Sequence, residues 1–348
     1  MNALTSTTAP KQQAKKEFLG YIHHFRGLAI IFVAAGHLLL NWPTDSRLYL
    51  LFRVFWENGT VLFIFIAGYL FQHLSRKFEY RNYLSKKIQY VIIPYFIVSA
   101  PIIIYRIVTH DDPGYILAPH PDFASWPVWQ QVEYFMLRGA HMQQLWFVPM
   151  IALFYLISPL LIYIDRHPHL YYLLLVFIPV SLLVTREPFS DIPRMFVHFL
   201  SVYLFGMFMS RYRSRYLDLA RKYWIGLSLL TIGVLVLNII YFKTYNNTLN
   251  YIHKMLFCCF FIYWLWRLDK YVPSFVSVLA ELSFGIFFIH YYVLLIAKAI
   301  YEKVAHHAIP GNIVYWTLDL VIVLAGSVLI IQFIQKILPR YSRYLIGC

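Results

Sequence analysis

Ten apolar stretches, at about 26–42, 48–72, 88–109, 144–164, 170–185, 194–210, 223–242, 250–268, 279–300 and 312–337, take up most of the chain. A transmembrane helix needs about 20 apolar residues. In hydrocarbon every backbone N–H and C=O must also find its partner inside the protein. Stretches of this length with so few charges are therefore expected to cross a bilayer as helices. The alternative, an ordinary soluble domain, fails on composition. Of 348 residues, 60% are hydrophobic and only 13% charged, about half the usual charged share, and the mean hydropathy is +0.59. Aromatics at 19% suit interfacial belts of Tyr and Trp. The expected fold is an all-α polytopic membrane protein, a bundle of about ten transmembrane helices with short loops. Prolines at the ends of or inside these stretches, such as Pro94, Pro101, Pro149, Pro159 and Pro179, kink helices in a bundle rather than abolish them.

The formal charge of +14 raises the question of a nucleic-acid partner, and its layout answers it. Lys and Arg gather in alternate short loops, as the positive-inside bias requires. The segments 1–25, 73–87, 165–169, 211–222, 267–278 and 338–348, with Lys336 at the border of the last, hold 19 of them. The opposite side holds seven, and Arg26, Arg53, Arg106 and Lys254 fall within or beside spans. This split puts both termini in the cytoplasm and makes anionic lipid, not nucleic acid, the partner of the bulk charge. The chain then divides into a disordered cytoplasmic N-terminus (1–20), a transmembrane domain (21–338) and a cytoplasmic tail (339–348). No small-residue cleavage site follows the first apolar run, so a signal peptide is not expected. Cys258, Cys259 and Cys348 fit neither a disulfide framework nor a metal site. The longest loop, about 110–143, lies outside and has room for a lid or a short interfacial helix around 126–137. No fixed-period repeat is visible, so the inverted-repeat signature of many transporters is missing.

Ionisable groups within a bilayer are costly and mark functional candidates. The first stretch carries Arg26 and His37, 11 residues apart, a rotation of about 20° beyond three helical turns. The two share one helix face, roughly 16 Å apart along the axis. A neutral imidazole at that depth can take a proton from a hydroxyl, whereas the guanidinium fork suits phosphate or carboxylate at the membrane surface. The alternative is an arginine snorkelling to the headgroups and a histidine bonded to a neighbouring helix. Ala34, Ala35 and Gly36 permit close approach of a helix or a thin substrate. Trp146 is either a belt residue or a stacking platform for the acceptor. Asn41 either orients His37 or packs structurally, and His290 is either an interhelical hydrogen-bonding group or part of the site. Arg53 and Glu57 have i,i+4 spacing for an ion pair.

With these residues in place the chain resembles the membrane acyltransferase-3 family, bacterial proteins that O-acylate cell-surface carbohydrates. Arg26 and His37 stand in its R-X10-H arrangement. Leu62-Phe-Ile-Phe-Ile-Ala-Gly68-Tyr-Leu-Phe71 is similar to its second-helix pattern, and Lys86-Lys87-Ile-Gln-Tyr-Val-Ile-Ile-Pro94-Tyr95 looks like its basic entry to helix three. Leu145-Trp146-Phe147 with Tyr155-Leu-Ile-Ser-Pro159-Leu160-Leu161 resembles its fourth helix, and Ser283-Phe284-Gly285-Ile-Phe-Phe-Ile-His290 its late Ser-Phe-Gly…His element. One departure stands out: many members carry a basic pair three residues apart before the helix-three proline. Here Lys87 fits the first position and Tyr90 the second, leaving Lys86, Arg81 and Arg76 to compensate.

The resemblance implies a multi-pass enzyme of the bacterial inner membrane. It would move an acyl group, acetyl first among the candidates, from cytoplasmic acyl-CoA to a sugar hydroxyl of an envelope or exported polysaccharide. No permanently bound cofactor is expected. His37 would be base or acyl-accepting nucleophile, Arg26 would hold or steer the donor, and Arg76, Arg81, Lys86 and Lys87 would bind its phosphates. Many longer relatives carry a fused extracytoplasmic hydrolase-like domain for which this chain has no room, so it is expected to act alone or with polysaccharide synthesis or export proteins. The rival readings are a glycan or lipid-linked sugar flippase and a non-catalytic subunit of a polysaccharide synthase complex.

Overall fold

A computed structural model describes residues 18–110, 122–185, 191–241 and 247–348. The N-terminal segment 1–17 and the loop residues 111–121 lie outside the described residues. Among the described residues all regular structure is helical. The first half comprises α1 (Gly20–Gly36), α2 (Arg47–Trp56), α3 (Gly59–His73), α4 (Tyr80–Lys87), α5 (Ile93–Thr109), α6 (Val128–Arg138), α7 (Phe147–Leu156), α8 (Ser158–Arg166) and α9 (Leu174–Leu183). The second comprises α10 (Ile192–Arg211), α11 (Arg213–Ile240), α12 (Asn247–Arg267), α13 (Ser274–Glu281), α14 (Ser283–Ala305), α15 (Ile313–Ile337) and α16 (Ser342–Ile346).

Each of the ten apolar stretches holds helix, but they are not equal. Six described spans are long and apolar enough to cross a membrane: Arg47–His73, Tyr80–Thr109, Ile192–Arg211, Arg213–Ile240, Ser283–Ala305 and Ile313–Ile337. A seventh exists if α7 and α8, bent by 56°, form one broken span. The number supported by length and composition is therefore lower than the ten stretches. The reasons are local. The first helix stops at Gly36 after 17 residues rather than running to residue 42, and α12 carries Asn250, His253 and Lys254 near its start.

The breaks follow from the sequence. Proline lacks the N–H that would continue the ladder and crowds the preceding turn. Pro94 is preceded by a π-helical turn, Ile88–Ile92, which widens the helix just where the α-ladder cannot close. Pro159 opens α8, and the Ser158 hydroxyl donates to the Tyr155 carbonyl at 2.7 Å across the bend. Between α2 and α3 the left-handed Asn58 (φ 65°) interrupts the chain. The carbonyls freed there are met by a buried cation: Lys254 donates to Phe55 O at 2.6 Å and Val54 O at 3.3 Å. Its ammonium also lies over the Phe32 and Phe257 rings, 5.5 and 5.1 Å from their centroids. Arg53 and Glu57 form the expected i,i+4 pair at 2.9 Å.

The core sits around α3 and α10. Their crossing is close because Gly68 faces the Tyr203 carbonyl and Gly206 the Phe65 carbonyl, with no space for a Cβ on either side. Without a hydrophobic drive between helices in lipid, such close packing is what holds spans together. Of the α10 window 61% is buried, against 11% for α11 and 17% for α15, whose apolar surfaces face outward as lipid-exposed helices should. The amphipathic α6, with Val128, Trp129 and Leu137 exposed, occupies the place expected for an interfacial helix.

Contacts tie the basic loops together at one end of the bundle. The Asp165 carboxylate accepts from the Tyr171 hydroxyl (2.9 Å), Arg211 (3.1 Å) and the Ser75 hydroxyl (3.3 Å). Arg213 lies 3.2 Å from His73 Nδ1, and His24 Nδ1 lies 2.8 Å from Asp269. Residues 339–348, read above as a tail, hold α16. It packs on α5, α14 and α15 with Ser342 and Ile346 buried.

Candidate functional site

The site is built on two neighbouring helices that both start at the basic end. On α1, Arg26 projects near the start and His37 follows Gly36 as the helix cap, its N–H directed to the Ala34 and Ala35 carbonyls. On α14, Ser283 is the first residue and His290 lies two turns on. The Arg26 guanidinium donates to Ser283 Oγ at 2.9 Å. The His37 ring lies 5.4 Å from the His290 ring, with centroids as reference, and 5.8 Å from that of Tyr291. Two motifs more than 240 residues apart in sequence thus become the two ends of one structure.

His290 is fully buried. Its Nδ1 lies 2.9 Å from the carbonyls of both Ile286 and Phe287 on its own helix. A carbonyl can only accept, so Nδ1 carries the proton and Nε2 is left as a bare acceptor. That acceptor has no hydrogen-bond partner among the described residues. Leaving a buried polar atom unsatisfied is costly, and such sites concentrate where chemistry needs them. The hydrogen bonds that the imidazole does make stay within its own helix.

Small residues bring the remaining walls in. Ala34 and Ala35 are fully buried, Trp316 Nε1 donates to the Ala35 carbonyl at 3.3 Å, and Gly36 faces the Trp56 carbonyl at the end of α2. The close approach expected of this run is used by protein. Asn41 is no longer on a helix, because α1 ends at Gly36. It adopts a left-handed conformation (φ 55°) and its amide donates to the Ile309 carbonyl at 3.0 Å, a structural clasp. Trp146 is buried and stacked on Phe199, with centroids 6.1 Å apart and planes at 14°. It is neither an exposed belt residue nor an open platform.

At the basic end a cavity of about 600 Å³ opens between α3, α4, the π-helical turn, α7, α10 and α16. Lys77, Lys86, Lys87 and Arg343 line it against one carboxylate, Glu79. The Lys87 ammonium sits over the rings of Tyr155 (4.9 Å) and Tyr83 (5.3 Å) and within electrostatic reach of Arg26 and Arg343. Tyr83 and Tyr203 share a hydrogen bond on the inner wall. Of the expected donor-binding residues, Lys86 and Lys87 line this cavity. Arg76 and Arg81 are exposed and do not line it. Neither Arg26 nor His37 forms its wall; Lys87 is the link between the cavity and the α1–α14 pair.

Sequence reasoning gave no role to Ser283 or Arg343. Ser283 was visible within its motif, but its pairing with Arg26 is a long-range contact. Arg343 lies beyond the last apolar stretch, where nothing in the pattern marks a binding residue. Among the described residues, no group of three or more His, Cys, Asp or Glu could hold a metal ion.

None of the curated proteins or solved structures compared gives a significant match to the chain. A family model described as an acyltransferase domain matches residues 19–332, which takes in both histidines, the Arg26–Ser283 contact and the lysines of the cavity. With that match over most of its length, and with apolar helices fit to cross a bilayer, the chain belongs to the acyltransferase-3 family and is a multi-pass membrane acyltransferase.

Proposed function

We propose that the protein moves an acyl group, acetyl first among the candidates, from acyl-CoA to a sugar hydroxyl of an envelope or exported polysaccharide, with His37 as general base. The observation that carries this reading is the buried, unsatisfied His290 Nε2 beside the His37 ring, on helices that lead back to Arg26 and the basic cavity. The basic end faces the cytoplasm of a bacterial inner membrane, where acyl-CoA is made. The donor phosphates bind Lys86 and Lys87, and the thioester arm runs inward along α1 and α14 past Arg26. The acceptor enters from the opposite side.

In the reaction His37 takes the proton of the sugar hydroxyl while its oxygen attacks the thioester carbonyl. The tetrahedral intermediate collapses by breaking the C–S bond, and the CoA thiolate leaves with the proton returned by the imidazolium. The products are the sugar ester and free CoA. His290 acts as a positioning residue: its bare Nε2 accepts a hydrogen bond from the ring N–H of His37 and holds the imidazole in line. Arg26, tied to Ser283, presents a fixed positive charge near the donor.

The test compares surface glycans by mass in cells lacking the protein, complemented with wild type or with His37→Ala at matched expression. Wild type is expected to restore an acyl mass increment that His37→Ala does not. A glycan that is missing from the surface without the protein, and returns unacylated with either version, would turn the reading to transport.

A further inference from the structure

We propose that the C-terminal segment is part of the donor site, with Arg343 as a phosphate-binding residue of the basic cavity. The inference rests on the reading that this cavity takes the acyl-CoA donor.

The segment is held in place by more than the side chain at issue. Ser342 and Ile346 are buried. Gly347 adopts φ +79°, a conformation that favours glycine, and lies against the Phe284 ring and the Tyr90 carbonyl. Cys348 occupies the space beside Gly285 that a Cβ would fill. These contacts dock α16 against the start of α14, the helix that carries Ser283 and His290. They leave Arg343 on the exposed side of α16, at the cavity wall.

The Arg343 guanidinium carbon sits 4.0 Å above the Tyr90 ring centroid, and the Tyr344 ring lies 5.4 Å from the same ring. A guanidinium stacked on an aromatic face keeps its N–H groups in the plane of the stack, free at the edge for bidentate contact with phosphate oxygens. The cavity lining carries four cations and one carboxylate, a net charge of +3. Among the described residues no carboxylate lies within ion-pair distance of Arg343. An uncompensated cluster around a concave site concentrates anions. Tyr90 therefore serves as the platform on which a cation from the far end of the chain is mounted, next to Lys86 and Lys87. An anionic lipid headgroup offers the same phosphate chemistry, so the experiment separates the two sources.

The test measures coenzyme A binding to the purified full-length protein in nanodiscs of zwitterionic lipid. The variants are Arg343→Gln, Lys86→Ala/Lys87→Ala, and Tyr90→Arg/Arg343→Gln, each with its unfolding temperature. Arg343→Gln is expected to weaken binding about tenfold or more, as loss of one charge-assisted hydrogen-bonding partner does, and to make it less sensitive to salt. Placing the cation on the π-helical turn in Tyr90→Arg/Arg343→Gln is expected to restore most of the affinity. That rescue would not follow from a purely structural role. If Arg343→Gln binds like wild type while the lysine variant does not, the proposal falls and the cavity reading stands. If wild type itself does not bind coenzyme A, the cavity reading falls and the proposal with it. Should Arg343→Gln lower the unfolding temperature, the double variant decides: wild-type temperature without restored affinity overturns the proposal. An Arg343→Gln effect that shows only as lost preference for nanodiscs containing phosphatidylglycerol assigns the residue to lipid and overturns it as well.

Discussion

At one end of the α1–α14 pair, Lys86, Lys87 and Arg343 crowd a half-open cavity with a single carboxylate to balance them. At the other, the His37 and His290 rings face each other among Ala34, Ala35 and Trp316, with a bare nitrogen on His290. The two regions solve opposite problems. Cations that hold phosphate must stay near water, because an unpaired buried charge is too costly. Here aromatic faces from Tyr83, Tyr90 and Tyr155 carry part of their solvation. A proton-transferring imidazole works best where water is excluded and the proton has one place to go. One helix pair links the two environments, so that in the proposed reaction a charged donor would be gripped at the basic end while its reactive carbon reaches the histidines.

The sharpest way to break this comparison is His37→Ala. Acyl transfer is expected to fall by about 10²–10⁴-fold, the usual range for a lost general base, with coenzyme A affinity unchanged in the same preparation. A matching loss of affinity would mean that the two regions are not separate. Next in size, Lys86→Ala/Lys87→Ala is expected to raise the donor KM by about ten- to a hundredfold and to leave kcat within a few-fold. A fall in kcat alone would move those lysines into the chemistry. His290→Leu is expected to lower kcat by about tenfold without lowering the unfolding temperature, because it removes a buried acceptor that nothing satisfies. A variant that loses stability and keeps kcat would assign His290 to packing.

The smallest effect concerns the turn between α6 and α7, outside both regions. His141 is fully buried, with Nε2 2.7 Å from Ser99 Oγ and Nδ1 3.0 Å from the Phe135 carbonyl. Burial pushes its pKa from 6.5 down to about 3. A folded-state value below the unfolded one means that the unfolded chain binds the extra proton first. The stability that the neutral ring contributes is present above pH 6.5 and is lost as pH falls toward 3. Thermal unfolding of His141→Gln should therefore depend less on pH over that window than wild type. Equal pH dependence would remove His141 from the account.

Much of the site was legible in the residues. Arg26 and His37 could be placed on one face because helical geometry is local. The charge asymmetry of the loops was visible because a hydrophobic span alternates the side on which each loop must lie, and contacts join loops 73–87, 165–169 and 211–222. Lys86 and Lys87 stood out as a pair at the mouth of a span. The boundary of α1 was less legible: an apolar run to residue 42 conceals a helix that stops at Gly36, which leaves Asn41 off the helix and bonded to the Ile309 carbonyl, the structural one of its two readings.

By itself, then, the sequence determined what depends on near neighbours and on solvent: a helical membrane protein, the asymmetry of its charge, and an arginine and a histidine aligned on one helix. Only the tertiary structure decided which distant residues complete the site. The approach of His290 to His37, of Ser283 to Arg26 and of Arg343 to Tyr90 depends on α1 packing against α14 and on a terminal segment docked at Gly285. Those meetings are long-range packing events, and the free energy that selects them is shared among many contacts rather than written at any one position.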